Sequence, residues 1–435
     1  MAIQNSRLAQ GDIDQPGQFP RLDNLRHNPF IFNMDFGLPE LPREPGILLI
    51  RGARQYGKST WLEQTLYQTI KQFGPGSGYY LNGENIADHR SLETEIASLV
   101  DVFNSTSLVK RIFIDEITAI PHWEMALKRL ADNGKLTQTL LITTGSKATD
   151  LRRGAERLPG RKGKLSRTTY LFTPVSYAEF RRVCGSVLGE KTLPAYLLSG
   201  GSPIACSALA AEGIIPDYVI ELTRDWIEGE IAISGRTRAA FFNIMSGLFR
   251  FGGTPLGQAK LAREAALANN TVAAGYIELL NDLGCVVPAY PWDPNRKILI
   301  LRKPCKYHMS NLLAAVAYHP AELRSVEDFQ NLSAPEQGAW HEWLVAQELL
   351  RRRAIKGDEI LTPLAFWQSS NHELDFVESA EHLIEVKRGH CSAIEFRWFP
   401  QQFPHKLLTV INASHFVTDF VKGMTMEDFL LGFDS

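Results

Sequence analysis

Cysteine is scarce and scattered: Cys184, Cys206, Cys285, Cys305 and Cys391 are the only five in 435 residues, and no two form a CxxC pair. That spacing excludes a zinc knuckle, a thioredoxin-type redox motif and a disulfide framework, and makes a reducing cytoplasm the expected compartment. No stretch comes near the eighteen or so consecutive apolar residues that a bilayer span needs. The opening MAIQNSRLAQGDIDQPGQFP also lacks the apolar segment of a secretory signal, so a soluble protein with no membrane partner is expected. Charge of either sign is not in excess, because 46 Lys+Arg against 48 Asp+Glu leave a formal charge of -2. There is thus no protein-wide positive field to hold nucleic acid or anionic lipid, and any basic surface has to be local. Internal repeats and low-complexity tracts are missing as well, which sets aside solenoids and disordered linkers. What is present is a chain that is 44% hydrophobic, enough to fill about three domain cores of roughly 150 residues each.

The first forty-odd residues mix polar side chains with Pro16, Pro20, Pro29, Pro39, Pro42 and Pro45 and read as an arm with one short strand or helix. From Gly46 onward the pattern changes. Short apolar runs (Ile47 to Ile50, Tyr79 to Leu81, Ile112 to Ile114, Leu140 to Thr143, Thr169 to Phe172) alternate with helical patterns such as Thr60 to Phe73 and Trp123 to Ala131. Alternation of this kind predicts a parallel sheet covered by helices on both faces. After about Cys206 helices take over. Residues 256–301 then read as helix, turn, helix and a two-stranded wing, with CVVPAY and KILIL flanking Asp293-Pro294-Asn295.

The strongest local motif is GARQYGKST, residues 52–60, which fits G-x-x-x-x-G-K-[ST] and falls between the strand GILLI and a helix. In such a loop the backbone N–H groups turn inward around phosphate oxygens and the helix N-terminus adds its partial positive charge. Gly52, Ala53, Arg54, Gln55, Tyr56, Gly57, Lys58, Ser59 and Thr60 are therefore the expected nucleotide-binding residues. Lys58 would reach the β and γ phosphates of ATP, Ser59 would ligate Mg2+ and Thr60 would lie beside the α phosphate. RIFIDEI supplies the acidic strand such a site requires. Asp115 is expected in the Mg2+ shell, and Glu116 is expected to orient and polarise the attacking water. LLITTGSK ends in hydroxyls, of which Thr144 or Ser146 could sense the γ phosphate, although strand ends are also rich in Ser and Thr for turn chemistry. Between 152 and 167 stand seven basic residues and a single acid, Glu156. This is either a solvated loop, a phosphate contact or the source of an arginine finger, for which Arg161 is named first.

These motifs resemble the prokaryotic AAA-type ATPases of the archaeal-ATPase group, near the STAND signalling ATPases. Arg54-Gln55 is kept from the family's G-P-R-Q loop, with Ala53 in place of its proline. IFIDEI, Trp123, LKRLAD, TTGSK, LPGR at 158–161, TPVSYAEF at 173–180 and YLLSGGSP at 196–203 follow in the family's order. The resemblance implies that Pro203 packs near the adenine and that a winged helix follows the ATPase core. It also implies a C-terminal domain like the PD-(D/E)xK nucleases, through GAWHEWLVAQEL, HELDFVES and HLIEVKRG.

Strand alternation puts Glu373, Asp375 and Val377 on one face of the first C-terminal strand, and Leu383, Glu385 and Lys387 on one face of the second. Asp375 and Glu385 are expected to hold Mg2+, Lys387 to orient or deprotonate a water, and Glu342 to complete the set. The alternative is a cross-strand ion pair. The expected fold class is α/β, with an AAA+-like P-loop sheet, a winged-helix domain and a small restriction-endonuclease-like domain. The expected divisions are an arm at 1–44, the ATPase core at 45–206, a helical lid at 207–255, the winged helix at 256–310, a linker at 311–335 and the nuclease-like domain at 336–435. ATP and Mg2+ are the expected cofactors, with DNA and a second copy of the chain as expected partners. DNA contact is expected at Arg296 and Lys297, at Arg351-Arg352-Arg353 or in the 152–167 loop, because the second helix of the winged pattern carries no Arg or Lys. The expected function is an ATPase whose nucleotide state controls a Mg2+-dependent nuclease-like domain acting on DNA; the alternative is an ATP-driven oligomerising switch or scaffold whose nuclease-like domain grips nucleic acid or a protein partner without cutting.

Overall fold

The structure is a computed structural model and describes residues 3–103, 107–146, 163–358 and 362–432. It contains two compact units, one made of 1–173 with 354–360 and the other of 174–353 with 361–435.

The first unit is built on β1 (Gly46–Arg51), β2 (Gly78–Asn82), β3 (Arg111–Asp115), β4 (Leu140–Gly145) and β5 (Thr169–Leu171). They form one all-parallel sheet in the order β2-β3-β4-β1-β5. The five apolar runs read from the sequence are these strands. They lack alternation because both faces are covered: Leu48, Ile50, Ile112, Phe113, Ile114, Leu141 and Ile142 are all fully buried. Each such apolar side chain contributes about 1.5–3 kcal/mol on leaving water. Helices Lys58–Phe73, His89–Val102 and Trp123–Asp132 supply the cover, the second of them started by Asp88, whose side chain accepts from the Ser91 N–H.

The N-terminal segment is folded onto this sheet. Helix Ile3–Gln10 lies against the edge strand β2, where the Asn5 amide donates to the Tyr80 carbonyl and accepts from the Tyr80 N–H, both at 2.8 Å. A side chain thus occupies hydrogen-bonding groups that a further strand would otherwise take. Helix Pro20–Arg26 packs on Lys58–Phe73, and its Arg21 and Leu22 N–H groups donate to Glu63 at 3.0 and 3.3 Å.

The second unit begins with helices Tyr177–Leu188, Thr192–Ser199, Pro203–Glu212, Asp217–Ile233 and Arg238–Arg250. Its YLLSGGSP turn is a backbone junction. Gly200 and Gly201 have φ of 57 and 72°, and a Cβ on either would come within 2.7 Å of the Leu313 N or 2.6 Å of the Val175 O. The Gly201 carbonyl accepts from Val175 N, and the Tyr196 hydroxyl donates to the Val175 carbonyl.

Next come helices Gln258–Glu264 and Asn270–Asp282 and then β6 (Val286–Asp293), β7 (Ile298–Leu299) and β8 (Lys306–Met309). β7 and β8 both pair antiparallel with β6. This is the helix–helix–hairpin succession expected at 256–301, but β6 also pairs in parallel with β9 (Leu364–Gln368), which belongs to the segment expected to be a separate last domain. Trp292 of β6 shares a core with Trp367, Phe396 and Phe399. Residues 311–335, read as a linker, hold helices Leu312–Tyr318 and Val326–Gln330, the first buried from Leu312 to Ala317. β9 pairs further with β10 (Glu373–Leu374). A second mixed sheet follows, made of β11 (Phe376–Val377), β12 (His382–Val386), β13 (Leu407–Ile411), β14 (Phe416–Val417) and β15 (Val421–Met424) in the order β11-β12-β13-β15-β14.

Candidate functional site

The order of the first sheet sets β1 between β4 and β5, with β3 beyond β4, so the loops leaving the carboxyl ends of β1, β3 and β4 converge. Ligand sites of open α/β sheets lie at such a point. The loop after β1 runs through Gln55 at φ 66° and Gly57 at φ 94° into the helix that opens with Lys58. Lys58 is buried, and its ammonium donates to the Gly52 and Ala53 carbonyls at 2.9 and 2.7 Å. Burial lowers its pKa to about 8, while the charges of Glu116 and Asp115 act in the opposite sense. Tyr56 is buried, Arg54 and Gln55 are exposed, and Thr60 is half-buried.

Asp115 ends β3 and is buried. Its Oδ1 accepts from the Ser59 hydroxyl at 3.0 Å and the Thr144 hydroxyl at 2.6 Å, and its Oδ2 accepts from the Tyr80 hydroxyl at 3.4 Å. The Ser59–Asp115 pair is the hydroxyl-and-carboxylate oxygen set that suits Mg2+, so the residues present fit a Mg–nucleotide. Glu116 takes a left-handed conformation at φ 51°. Its Oε1 accepts from the Ser146 hydroxyl (2.5 Å), the Ser146 N–H (2.9 Å) and the Thr118 hydroxyl (3.1 Å). Burial pushes this carboxyl upward, but the Ser146 and Thr118 hydrogen bonds and the Lys58 charge outweigh it and leave the pKa below the ordinary value. The β4 hydroxyls expected to be γ-phosphate sensors thus serve the two carboxylates, and Ser146 also accepts from Arg54 Nε at 3.2 Å.

Arg21 is a participant that the sequence did not single out. Its guanidinium lies 3.0 Å from Glu63 and 3.3 Å from Asp115 Oδ2, tying the N-terminal segment to the acidic strand. Arg161, together with Arg152, Arg153, Arg157 and Lys162, lies outside the described residues. Pro203 opens a helix of the second unit.

In the second unit, Glu342, Asp375, Glu385 and Lys387 come together as expected, around a residue the motif reading omitted. Lys306 on β8 is 1% exposed, with its Nζ 2.9 Å from Asp375 Oδ1, 2.5 Å from Glu373 Oε1 and 3.8 Å from Glu342 Oε2. Asp375 Oδ2 accepts from the Val386 N–H at 2.9 Å, and Glu385 accepts from the Asp375 N–H at 3.3 Å and pairs with Lys387 at 2.5 Å. Burial and the Asp375 charge raise the Glu385 pKa to about 8 and carry Glu342 well above the carboxylate range. Burial also acts to raise Asp375, but Lys306, the Val386 N–H and Lys387 hold it below its ordinary value. Among the described residues, no three His, Cys, Asp or Glu side chains are arranged to hold a metal ion. The Asp375 and Glu385 pair expected to ligate Mg2+ is balanced by the ammonium groups of Lys306 and Lys387.

Two residues along β8 from Lys306, His308 is completely buried, with neither ring nitrogen in a hydrogen bond. Burial, reinforced by Lys306 and opposed by Asp375, lowers its pKa to about 3 from 6.5. Between those values the unfolded chain binds a proton that the folded one refuses, so stability falls as pH drops through this window, by up to about 1.4 kcal/mol per pH unit. His308→Leu is expected to flatten the acid limb of Tm against pH below 6.5. An unchanged slope would show that His308 takes up a proton without unfolding.

The basic run on helix Ala334–Lys356 is largely committed internally. Arg351 and Arg352 bond to the buried Glu348 at 2.7–2.9 Å. Arg167 donates to the carbonyls of Ala354 and Ile355. Arg296 and Lys297 are exposed at the β6–β7 turn, with Lys297 3.7 Å from Glu381. Trp340, Trp343 and Trp367 are core residues, whereas Trp398 is half-buried and stacks on His372 at 4.0 Å.

A family model described as an AAA domain matches residues 44–181. The chain thus carries an AAA-type P-loop domain on the first unit's parallel sheet, with the loop, lysine and acidic strand that ATPases of this type require. Among solved structures, the chain is similar to the ORC1 protein of Aeropyrum pernix in complex with DNA (15% identity, TM-score 0.33, covering 71% of this chain and 95% of that one). It is also similar to a Walker-type ATPase of Pyrococcus abyssi (14%, 0.43, 70% and 95%). A third is domain III of the replication initiation protein DnaA of Thermotoga maritima (10%, 0.27, 50% and 89%). No curated protein matches the sequence. No helix among the described residues is long and apolar enough to cross a membrane.

Proposed function

We propose that the protein is an ATP-hydrolysing switch in which nucleotide state at the AAA-type domain governs a DNA-gripping, non-cleaving second unit. The observation that supports the ATPase half most directly is the hydrogen-bonded set Ser59–Asp115–Thr144 beside Glu116–Ser146, assembled next to Lys58. In this reading the loop N–H groups and Lys58 bind the phosphates, Ser59 and Asp115 hold Mg2+, and Glu116 orients the attacking water. Held there, Mg2+ would supply neutralisation of the phosphate charge. Arg161 is retained as the proposed finger offered to a neighbouring copy, and Pro203 as the proposed adenine contact.

Of the two expected functions, the second is favoured by the Lys306 ammonium at Asp375. An enzyme that cuts DNA with Mg2+ needs that carboxylate for the metal. Incubating labelled single-stranded, duplex and branched DNA with the protein, Mg2+ and ATP or no ATP separates the readings. Retarded but uncut DNA is the expected result, and Asp375-dependent cutting would restore the nuclease.

The Lys58 ammonium gives the ATP site a pH signature. Phosphates stabilise its charged form, so its pKa rises on binding from the free value of about 8. Mg-ATP binding is therefore expected to take up a fraction of a proton at pH 8.5 and to weaken as pH climbs past 8, by at most tenfold per unit. Calorimetry in two buffers of different ionisation enthalpy measures that uptake. Lys58→Arg, always charged, should show none, and uptake persisting in this variant would assign the proton elsewhere.

A further inference from the structure

The carboxylates of the second unit are drawn from three places in the chain. Glu342 comes from helix Ala334–Lys356, Glu373 and Asp375 from β10 and the bend after it, and Glu385 from β12. A divalent ion of the Mg2+ or Mn2+ kind would gather such oxygens at about 2.0–2.2 Å and needs lone pairs directed at one point. In this structure the point is taken. Lys306 reaches it from β8 through a fully buried stem, packs its ammonium 5.5 Å from the centre of the Phe366 ring, and bonds Asp375 Oδ1 and Glu373 Oε1 while facing Glu342 Oε2.

Of the remaining oxygens, those of Asp375 and Glu385 are engaged as well, while Glu342 Oε2 is buried without a hydrogen-bond partner. Asp375 Oδ2 is held by a backbone N–H, and Glu385 by Lys387 and the Asp375 N–H. An ammonium and a metal ion cannot both use Asp375 Oδ1 from the same side, and a lysine anchored in a strand cannot diffuse away as a water or a monovalent ion would. Leaving these carboxylates buried without a cation would be strongly destabilising. The fold meets that need with a residue of its own.

We infer that Lys306 is the resident cation of this cluster, standing in the place of a divalent metal, so that the nuclease-like constellation Glu342, Asp375, Glu385 and Lys387 is assembled without binding Mg2+ or Mn2+. The inference rests on the non-cleaving reading of the second unit but is tested apart from DNA. The role it assigns to Asp375 and Glu385 is structural: they hold the end of β10, the end of β12 and β8 together through one buried charge.

The experiment is a titration of the full-length protein with Mn2+ in the absence of nucleotide, with free Mn2+ read by electron paramagnetic resonance. It compares wild type, Asp375→Asn, Lys306→Ala and the double variant. Wild type and Asp375→Asn should bind Mn2+ alike, because any weak binding at Ser59 and Asp115 is common to both. Lys306→Ala should gain one equivalent that the double variant loses. An equivalent bound by wild type and lost in Asp375→Asn would overturn the proposal. So would a folded Lys306→Ala that gains nothing, because Lys306 would then not be what excludes the metal. Should Lys306→Ala fail to fold, Lys306→Met preserves the buried volume, and the wild-type against Asp375→Asn comparison still decides. DNA retardation measured on the same wild-type sample keeps the two readings apart: absence of DNA binding would remove the gripping function and leave the Mn2+ result standing.

Discussion

Lys58→Ala is expected to abolish the thermal stabilisation that Mg-ATP confers. At a hundredfold excess over Kd, a ligand that binds only the folded state adds about 2.7 kcal/mol. For a domain of 150–250 residues that corresponds to roughly 5–10 °C in Tm. The substitution removes the one buried ammonium in the loop, whose contacts are the carbonyls of Gly52 and Ala53, groups that cannot bind phosphate themselves. Without nucleotide the variant should melt within a few degrees of wild type. Below pH 8 an ammonium whose pKa burial has lowered is a cost to the folded state, and losing it offsets the loss of two hydrogen bonds. An undiminished shift with Mg-ATP would remove the phosphate-binding assignment from this loop.

The parts of this site that could be read from the sequence are those whose signal is local. An apolar strand followed by GARQYGKST fixes loop, lysine and helix start within a dozen residues, and Asp115-Glu116 declares itself because two charges at the end of a buried strand need a cation. What could not be read depends on which distant segments meet. Arg21 lies in a proline-rich arm with no periodicity, yet reaches Asp115 because a short helix docks on Lys58–Phe73. Lys306 and Asp375 are 69 residues apart, and strand alternation predicts which way a side chain faces but not which strand lies beside it. For the same reason the sequence pattern places β6 in a hairpin with β7 but does not reveal its parallel partner, β9. The commitment of Arg351 and Arg352, by contrast, is legible in the sequence: Glu348 stands three and four residues before them on one helix, the spacing at which such side chains meet.

Glu116→Gln should separate binding from hydrolysis. The glutamine Oε1 can still accept from the Ser146 hydroxyl, the Ser146 N–H and the Thr118 hydroxyl, so the strained backbone at φ 51° keeps its anchors and the Mg-ATP shift should survive. What the amide cannot do is carry negative charge toward an attacking water. A positioned acid or base contributes about 10²–10⁴-fold to such a step, and here the loss should fall near the lower end. Hydrogen bonds and the Lys58 charge hold the Glu116 carboxyl below its ordinary pKa, which makes it a weak base that orients and polarises water more than it removes a proton. Steady-state ATP turnover in this variant, set beside its melting shift, checks both halves. A hundredfold drop with full stabilisation supports Glu116 as the water-orienting residue. Turnover that stays at the wild-type rate would move that role to another group, and joint loss of turnover and stabilisation would mean that Glu116 shapes the nucleotide site itself.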